Sequence, residues 1–259
     1  MTPLVRWLNR LGRPAVFAHR GASRAAPENS LAALKLALEK GADGVEFDVQ
    51  RCASGELVVF HDQTLTRCTG AIGSVRETTL DHLRRLTLDR VAVARGLRPA
   101  GERIPLLDEW LAEAPKTLFL NLEVKADVLL ETDITRPCIA AVRRRGWADA
   151  CVVSSFHPAA LLRAVGADRE IALGMLVDNS PHWREILAAG LVTGADAVHP
   201  EHSLVTPTRV RLWKRLGYRV ATWTVDESDE AKRCLDAGVD IIITNQPDVI
   251  RPLVEAYRV

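Results

Sequence analysis

Short apolar runs recur along the chain at regular intervals, and most are rich in valine and isoleucine. They read AVFAH (15–19), GVEFDV (44–49), LFLNLEV (118–124), CVVSS (151–155), IALGML (171–176), DAVH (196–199), RVATWTV (219–225) and VDIIIT (239–244). Runs of this length and composition mark buried strands. Between them lie segments with apolar residues at helical spacing. LAALKLALEKG (31–41) follows Asn29-Ser30, a natural N-cap pair, and stops at Gly41. LLDEWLAEA, IAAVRRRG, PAALLRAVG, HWREILAAG, PTRVRLWKRLG and DEAKRCLDAG follow in turn, and nearly all end on glycine. Eight strands alternating with helices predict a parallel (β/α)8 TIM barrel, an α/β fold. No composition break divides the chain, so one domain is expected over 1–259, with the barrel at 15–252.

A ninth run, ELVVFH (56–61), follows the strand at 44–49 too closely for a crossover helix. The connection must be a hairpin, turning near Ser54-Gly55. The hairpin is expected to set His61 opposite Glu46. Residues 51–104 then form an excursion at one mouth of the barrel, where such insertions act as lids or specificity loops. At the N-terminus, Leu4, Trp7, Leu8 and Leu11 fall at helical spacing among arginines. Such a helix either lies on a membrane surface or plugs one end of the barrel, and the short length favours the plug.

Composition narrows the classes. The 259 residues are 47% hydrophobic, and 34 basic side chains balance 33 acidic ones. That excludes a mainly disordered chain and gives no electrostatic reason for a nucleic-acid partner. No apolar run approaches the roughly 20 residues a bilayer needs, and the start lacks a signal-peptide core, so no stable membrane insertion is expected. Cys52, Cys68, Cys138, Cys151 and Cys234 form an odd, unpatterned set, which reads as reduced thiols and a cytoplasmic location.

Strand periodicity then locates the chemistry. In GVEFDVQ, Glu46, Asp48 and Gln50 share a face; in LFLNLEVK, Asn121, Glu123 and Lys125 do. Buried carboxylates need a partner. Glu46, Asp48 and Glu123 either pair with Arg20, Lys125 and other cations or hold a hard divalent ion, Mg²⁺ or Ca²⁺. His19 and His61 close strands beside these acids, and two histidines can serve as base and acid in turn. Arg20 and Lys125 suit a phosphate or pair with the carboxylates. Trp223 is either core or a pocket wall. His82, His157, His182, His199 and His202 lack such company and are read as structural. The run Arg143-Arg144-Arg145 is the solvated end of a helix. No Walker loop, GxGxxG or GxSxG occurs.

AHRGASRAAPENSLAAL, GADGVEFDVQ, LVVFHD, LNLEVK, VVSSFHPAAL, ALGML, VATWTVD and GVDIIITNQP, in this order, closely resemble the glycerophosphodiester phosphodiesterases. The resemblance implies a barrel hydrolase releasing sn-glycerol 3-phosphate and an alcohol from a small glycerophosphodiester, as a monomer or homodimer. It implies one divalent metal on Glu46, Asp48 and Glu123, His19 and His61 as the acid/base pair, and Arg20 and Lys125 on the phosphate. Glu28 of the PEN motif would join the polar network, and Trp223 would line the glycerol side. NQP stands at 245–247 where DxP is common, which leaves the role of Asn245 open. Two alternatives remain: a related barrel phosphodiesterase for lysophospholipids or phosphoinositides, and a glycerol-phosphate binding protein without turnover.

Overall fold

Every predicted run contains a strand. They are β1 Ala15–His19, β2 Gly44–Arg51, β3 Leu57–Val59, β4 Phe119–Val124, β5 Cys151–Ser155, β6 Ala172–Val177, β7 Ala197–Pro200, β8 Arg219–Thr222 and β9 Ile241–Thr244. The structure, a computed structural model, describes residues 1–99, 101–125, 134–180, 188, 190 and 192–257. His182 and most of the helix predicted at 182–190 lie outside the described residues.

Neighbouring strands run in the order β1-β9-β8-β7-β6-β5-β4-β2, and β1 pairs again with β2, so eight parallel strands close a barrel. β3 adds to the outside of β2 as its antiparallel partner. Helices such as Leu31–Glu39, Leu107–Glu113 and Pro158–Ala167 follow the strands and cover the barrel. The first of them starts where Ser30 Oγ accepts from the Ala33 N–H at 3.0 Å, the cap expected from the sequence. A helix at Pro247–Ala256, not foreseen because Pro252 interrupts its pattern, completes the ring.

The core has three parts. Valines, leucines and isoleucines on the outer faces of the strands pack against the helices. A second cluster fills the barrel's lower end, where Leu4 and Leu8 of the helix Pro3–Leu11 meet Ala15, Phe17, Phe119 and Ile241. Trp7 closes it, its ring 4.7 Å from Phe119 and 5.7 Å from Phe17. The N-terminal helix is therefore a plug, because its apolar face is spent on the barrel. A third cluster, with Val58, Phe60, Leu65, Cys68 and Leu83, holds the excursion together. All five cysteines are buried, and none forms a disulfide. Arg143 pairs with Asp168, and Arg144 and Arg145 pair with Asp108, at an exposed helix end.

Small residues shape the barrel interior. A Cβ on Gly44 would stand 2.5 Å from the Phe17 ring and 2.6 Å from the Phe119 carbonyl. One on Gly174 would stand 2.6 Å from His199 Nε2. His199 itself is buried, and neither ring nitrogen has a hydrogen-bond partner.

The hairpin differs from expectation in register. Arg51 pairs with Leu57, Gln50 with Val58 and Val49 with Val59, and the Phe60 N–H continues to the Asp48 carbonyl at 3.0 Å. Residue 60 therefore stands beside Asp48, and His61 is not opposite Glu46. The turn centres on Ser54 itself, which shifts the ladder by one residue.

Candidate active site

Three carboxylates converge at the C-terminal mouth of the barrel. Asp48 on β2 is level with Glu123 on β4, and Glu46 is level with Asn121. All three acids are buried, and one oxygen from each lies within 4.8 Å of the others. Burial, then repulsion from Asp48 and Glu123, raises the Glu46 carboxyl well above its ordinary range. Burial and Asp48 raise Glu123 likewise. Burial also opposes ionisation of Asp48, but Lys125 and Arg20 overcome it and hold that carboxyl low. Glu46 Oε1 and Asp48 Oδ1 are buried without a hydrogen-bond donor. An unpartnered buried carboxylate oxygen is costly. An all-oxygen set with such orphans fits a hard divalent cation.

The two cations pair with these acids. Arg20 Nη1 donates to Glu28 at 2.8 Å, and its Nε lies 3.4 Å from Asp48. Lys125 Nζ donates to Glu123 at 2.7 Å and lies 3.5 Å from Asp48. The backbone is bent to achieve this. Arg20 has φ +57°, a left-handed conformation that costs energy outside glycine, and its N–H donates to Glu46 Oε2 at 3.0 Å. Gly21 follows with φ +79°, where a Cβ would stand 2.6 Å from the Ala33 backbone. Asn29 of the PEN motif donates to Asp48 Oδ2 at 2.9 Å.

Each histidine of the pair has its Nδ1 engaged. His19 Nδ1 meets Asn245 Oδ1 at 2.9 Å, and His61 Nδ1 meets Asp62 Oδ1 at 2.7 Å. With Nδ1 donating, Nε2 is the free atom on both rings. Burial and the neighbouring Arg20 push His19 down to about 4. Its ring is therefore neutral near pH 7, and its 3.8 Å approach to Glu46 is not an ion pair. His61 reaches the mouth by another route than strand register. Gln50, third on the face of Glu46 and Asp48, donates to the carbonyls of Phe60, His61 and Asp62 at 2.8, 3.0 and 2.8 Å.

These groups share a cavity of about 190 Å³ lined by His19, Arg20, Glu46, His61, Glu123 and Lys125, with Asn121, Phe156, Leu176, Trp223 and Ile243. Trp223 is a pocket wall, edge-on to Phe156 at 5.6 Å, with Nε1 donating to the His199 carbonyl at 2.7 Å. Glu28 lies behind the cavity rather than on it, held by Arg20 and Arg67. His82 lies in the excursion, His157 precedes the helix Pro158–Ala167, and His202 pairs with Glu201 and Glu230.

Four supporting residues escaped the sequence reading. Asn245, whose role the sequence left open, is polar in function: it accepts from Ser23 Oγ at 2.7 Å besides its bond to His19, and Asp226 holds its amide at 2.6 Å. The doublet His61-Asp62 signals Asp62, whereas nothing local signals Arg67 or Asp226.

Comparison with known proteins bears on the same residues. Residues 19–249 match the glycerophosphoryl diester phosphodiesterase family. The chain belongs to that family. A glycerophosphodiester phosphodiesterase of Caldanaerobacter subterraneus is 34% identical over 242 residues, covering 92% of this chain and 97% of the relative. One from Bacillus altitudinis is 30% identical, covering 90% of this chain and 95% of its own. A phosphodiesterase of Oleispira antarctica, solved with the product sn-glycerol-3-phosphate, is 29% identical with a TM-score of 0.83, covering 95% of this chain and 98% of that one. The barrel fold is thus that of a family phosphodiesterase.

Proposed function

We propose that the cavity binds a glycerophosphodiester and hydrolyses it to sn-glycerol 3-phosphate and an alcohol. The observation that carries this reading is one small cavity lined by two imidazoles with free Nε2 atoms, two cations and two acids, Glu46 and Glu123, that cluster with Asp48. Names and a bound product among relatives support the substrate class.

Arg20 and Lys125 donate to the non-bridging phosphoryl oxygens and stabilise the charge that grows there. Trp223 walls the glycerol moiety. One histidine takes a proton from a glycerol hydroxyl as that oxygen attacks phosphorus, and the other protonates the departing alcohol oxygen. The cyclic glycerol phosphate so formed is opened by water, with the proton roles reversed. Glu46, Asp48 and Glu123 would hold one divalent cation, Mg²⁺ or Ca²⁺, which would supply positive charge against the phosphoryl group and acidify a nearby hydroxyl. The chain acts as one barrel unit, with 51–104 walling its mouth. Among the described residues no helix is long and apolar enough to cross a membrane, and five buried cysteines outside any disulfide fit a cytoplasmic setting.

The test is turnover of glycerophosphocholine with Mg²⁺ or Ca²⁺ present, followed by release of glycerol 3-phosphate. Release that depends on His19 supports the reading. No release from this or other glycerophosphodiesters, by folded protein with metal supplied, overturns it.

A further inference from the structure

We propose that Arg67 is a positioning residue that locks Asp62 onto His61 and so sets the direction in which His61 Nε2 faces the substrate. The inference rests on the function proposed above for His61, and deepens it. Arg67 sits in the short helix Thr66–Thr69 of the excursion, outside the barrel. Its guanidinium makes two forked contacts at once. Nη1 and Nη2 donate to the two oxygens of Glu28, each at 2.7 Å. Nε and Nη2 donate to the two oxygens of Asp62 at 2.6 and 2.9 Å. A planar fork that grips a carboxylate on each of two edges fixes both in one plane, which an ammonium cannot do.

The two carboxylates are anchored differently. Glu28 is buried and also tied to Arg20 at 2.8 Å, so it is the fixed end. Asp62 is partly exposed and belongs to the loop that follows β3, so it is the end that needs holding. Its Oδ1 is the partner of His61 Nδ1 at 2.7 Å. Gln50 already fixes the backbone at residues 60–62, but backbone fixation leaves the Asp62 side chain and the His61 ring free to rotate. Arg67 removes that freedom by running a continuous chain from Arg20 through Glu28 and Asp62 to His61. The Asp62 carboxyl is kept ionised by the same contacts: partial burial opposes this, but the bonds from His61 and Arg67 hold it well below its usual range. The excursion is therefore part of the catalytic geometry as well as a wall.

The experiment is a double-mutant cycle with a spectroscopic companion. Arg67→Met and Arg67→Lys are compared with wild type, alone and in an Asp62→Asn background, with metal and glycerophosphodiester supplied. Loss of an outer partner of this kind costs about 10–100-fold. Expected is a fall in kcat of that size for Arg67→Met, with KM changed less than about threefold, and a smaller fall for Arg67→Lys. In the Asp62→Asn background the further loss should be under about threefold, because the link is already cut. A merely structural strut would give equal losses in both backgrounds, and that result overturns the proposal. Thermal melting checks that the variants fold, and Arg67→Lys carries the test where Arg67→Met does not. The companion measurement is the downfield proton signal of His61 Nδ1, assigned by its loss in His61→Gln. It should shift or vanish in Arg67→Met, and an unchanged signal refutes the proposal even for an enzyme whose substrate lies outside the glycerophosphodiesters. Absence of wild-type turnover would sink the functional reading alone.

Discussion

His19 stands level with Glu46 across the β1–β2 ladder, its Nε2 3.8 Å from Glu46 Oε2. The parallel register thus puts a neutral imidazole and a crowded carboxylate at the same height on neighbouring strands. The proton chemistry and the cation chemistry proposed for this enzyme depend on that adjacency.

The first expected outcome concerns the acids. Chelation should abolish turnover, and Mg²⁺ or Ca²⁺ should restore it. A cation bound to the folded state alone also raises the melting temperature, and here it would relieve repulsion among Glu46, Asp48 and Glu123. Glu46→Gln should diminish both responses. Full activity in excess chelator after dialysis would contradict the assignment.

For the histidines, kinetics decide. His19→Ala and His61→Ala should each lower kcat by at least about a hundredfold, the usual size of an acid/base contribution. The double variant should lose much less than the product of the two, because the groups act as a unit. Wild-type kcat in His61→Ala would remove His61 from the mechanism.

Stability against acid follows from His199. Burial pushes its imidazole from 6.5 down to about 4. Between those values the unfolded chain holds a proton that the folded chain does not, so stability is full above pH 6.5 and falls as pH drops towards 4. At 1.36 kcal/mol per unit the loss is roughly 3 kcal/mol. His19 adds a loss of the same sign over the same window. Glu28, which Arg67 and Arg20 hold down to about 2 against its burial, adds a further loss from 4.5 downward. Urea unfolding at pH 7, 6 and 5 should show a shallower slope for His199→Gln than for wild type. Identical slopes would show that His199 titrates normally in the fold.

The identity of the attacking oxygen is open to a substrate test. A diester whose glycerol lacks the hydroxyl next to the phosphate should bind yet turn over very slowly, since an oriented internal nucleophile is worth several kcal/mol, roughly. Inhibition by the analogue confirms binding. Comparable kcat for analogue and parent would favour direct attack by water and leave the histidine roles intact.

Much of this arrangement was legible in the sequence because strands have period two. Glu46 with Asp48, and Asn121 with Glu123, had to share faces wherever the strands lay, and buried acids in such rows point to a cation. The register of His61 was not legible, because it turns on whether the hairpin centres on Ser54 or beside it. Its position is set instead by Gln50, a side chain whose three carbonyl partners have no sequence signature. Asn245 lies 226 residues from His19, and only closure of β1 onto β9 brings them together. Arg67 was illegible for a like reason: an arginine in a polar loop is usually solvated, and its two carboxylate partners meet only in three dimensions.

The contact between Gly174 and His199 constrains the order in which this barrel can change during evolution. A methyl group at 174 would sit 2.6 Å from the imidazole, inside the space that the ring itself fills. Gly174→Ala is therefore barred while histidine occupies 199, and becomes accessible once that residue has shrunk. The reverse step, growth from a small residue to histidine at 199, is open only to lineages that still carry glycine at 174. The two positions behave as a ratchet, and descendants of this enzyme should exchange bulk between β6 and β7 in that sequence of steps.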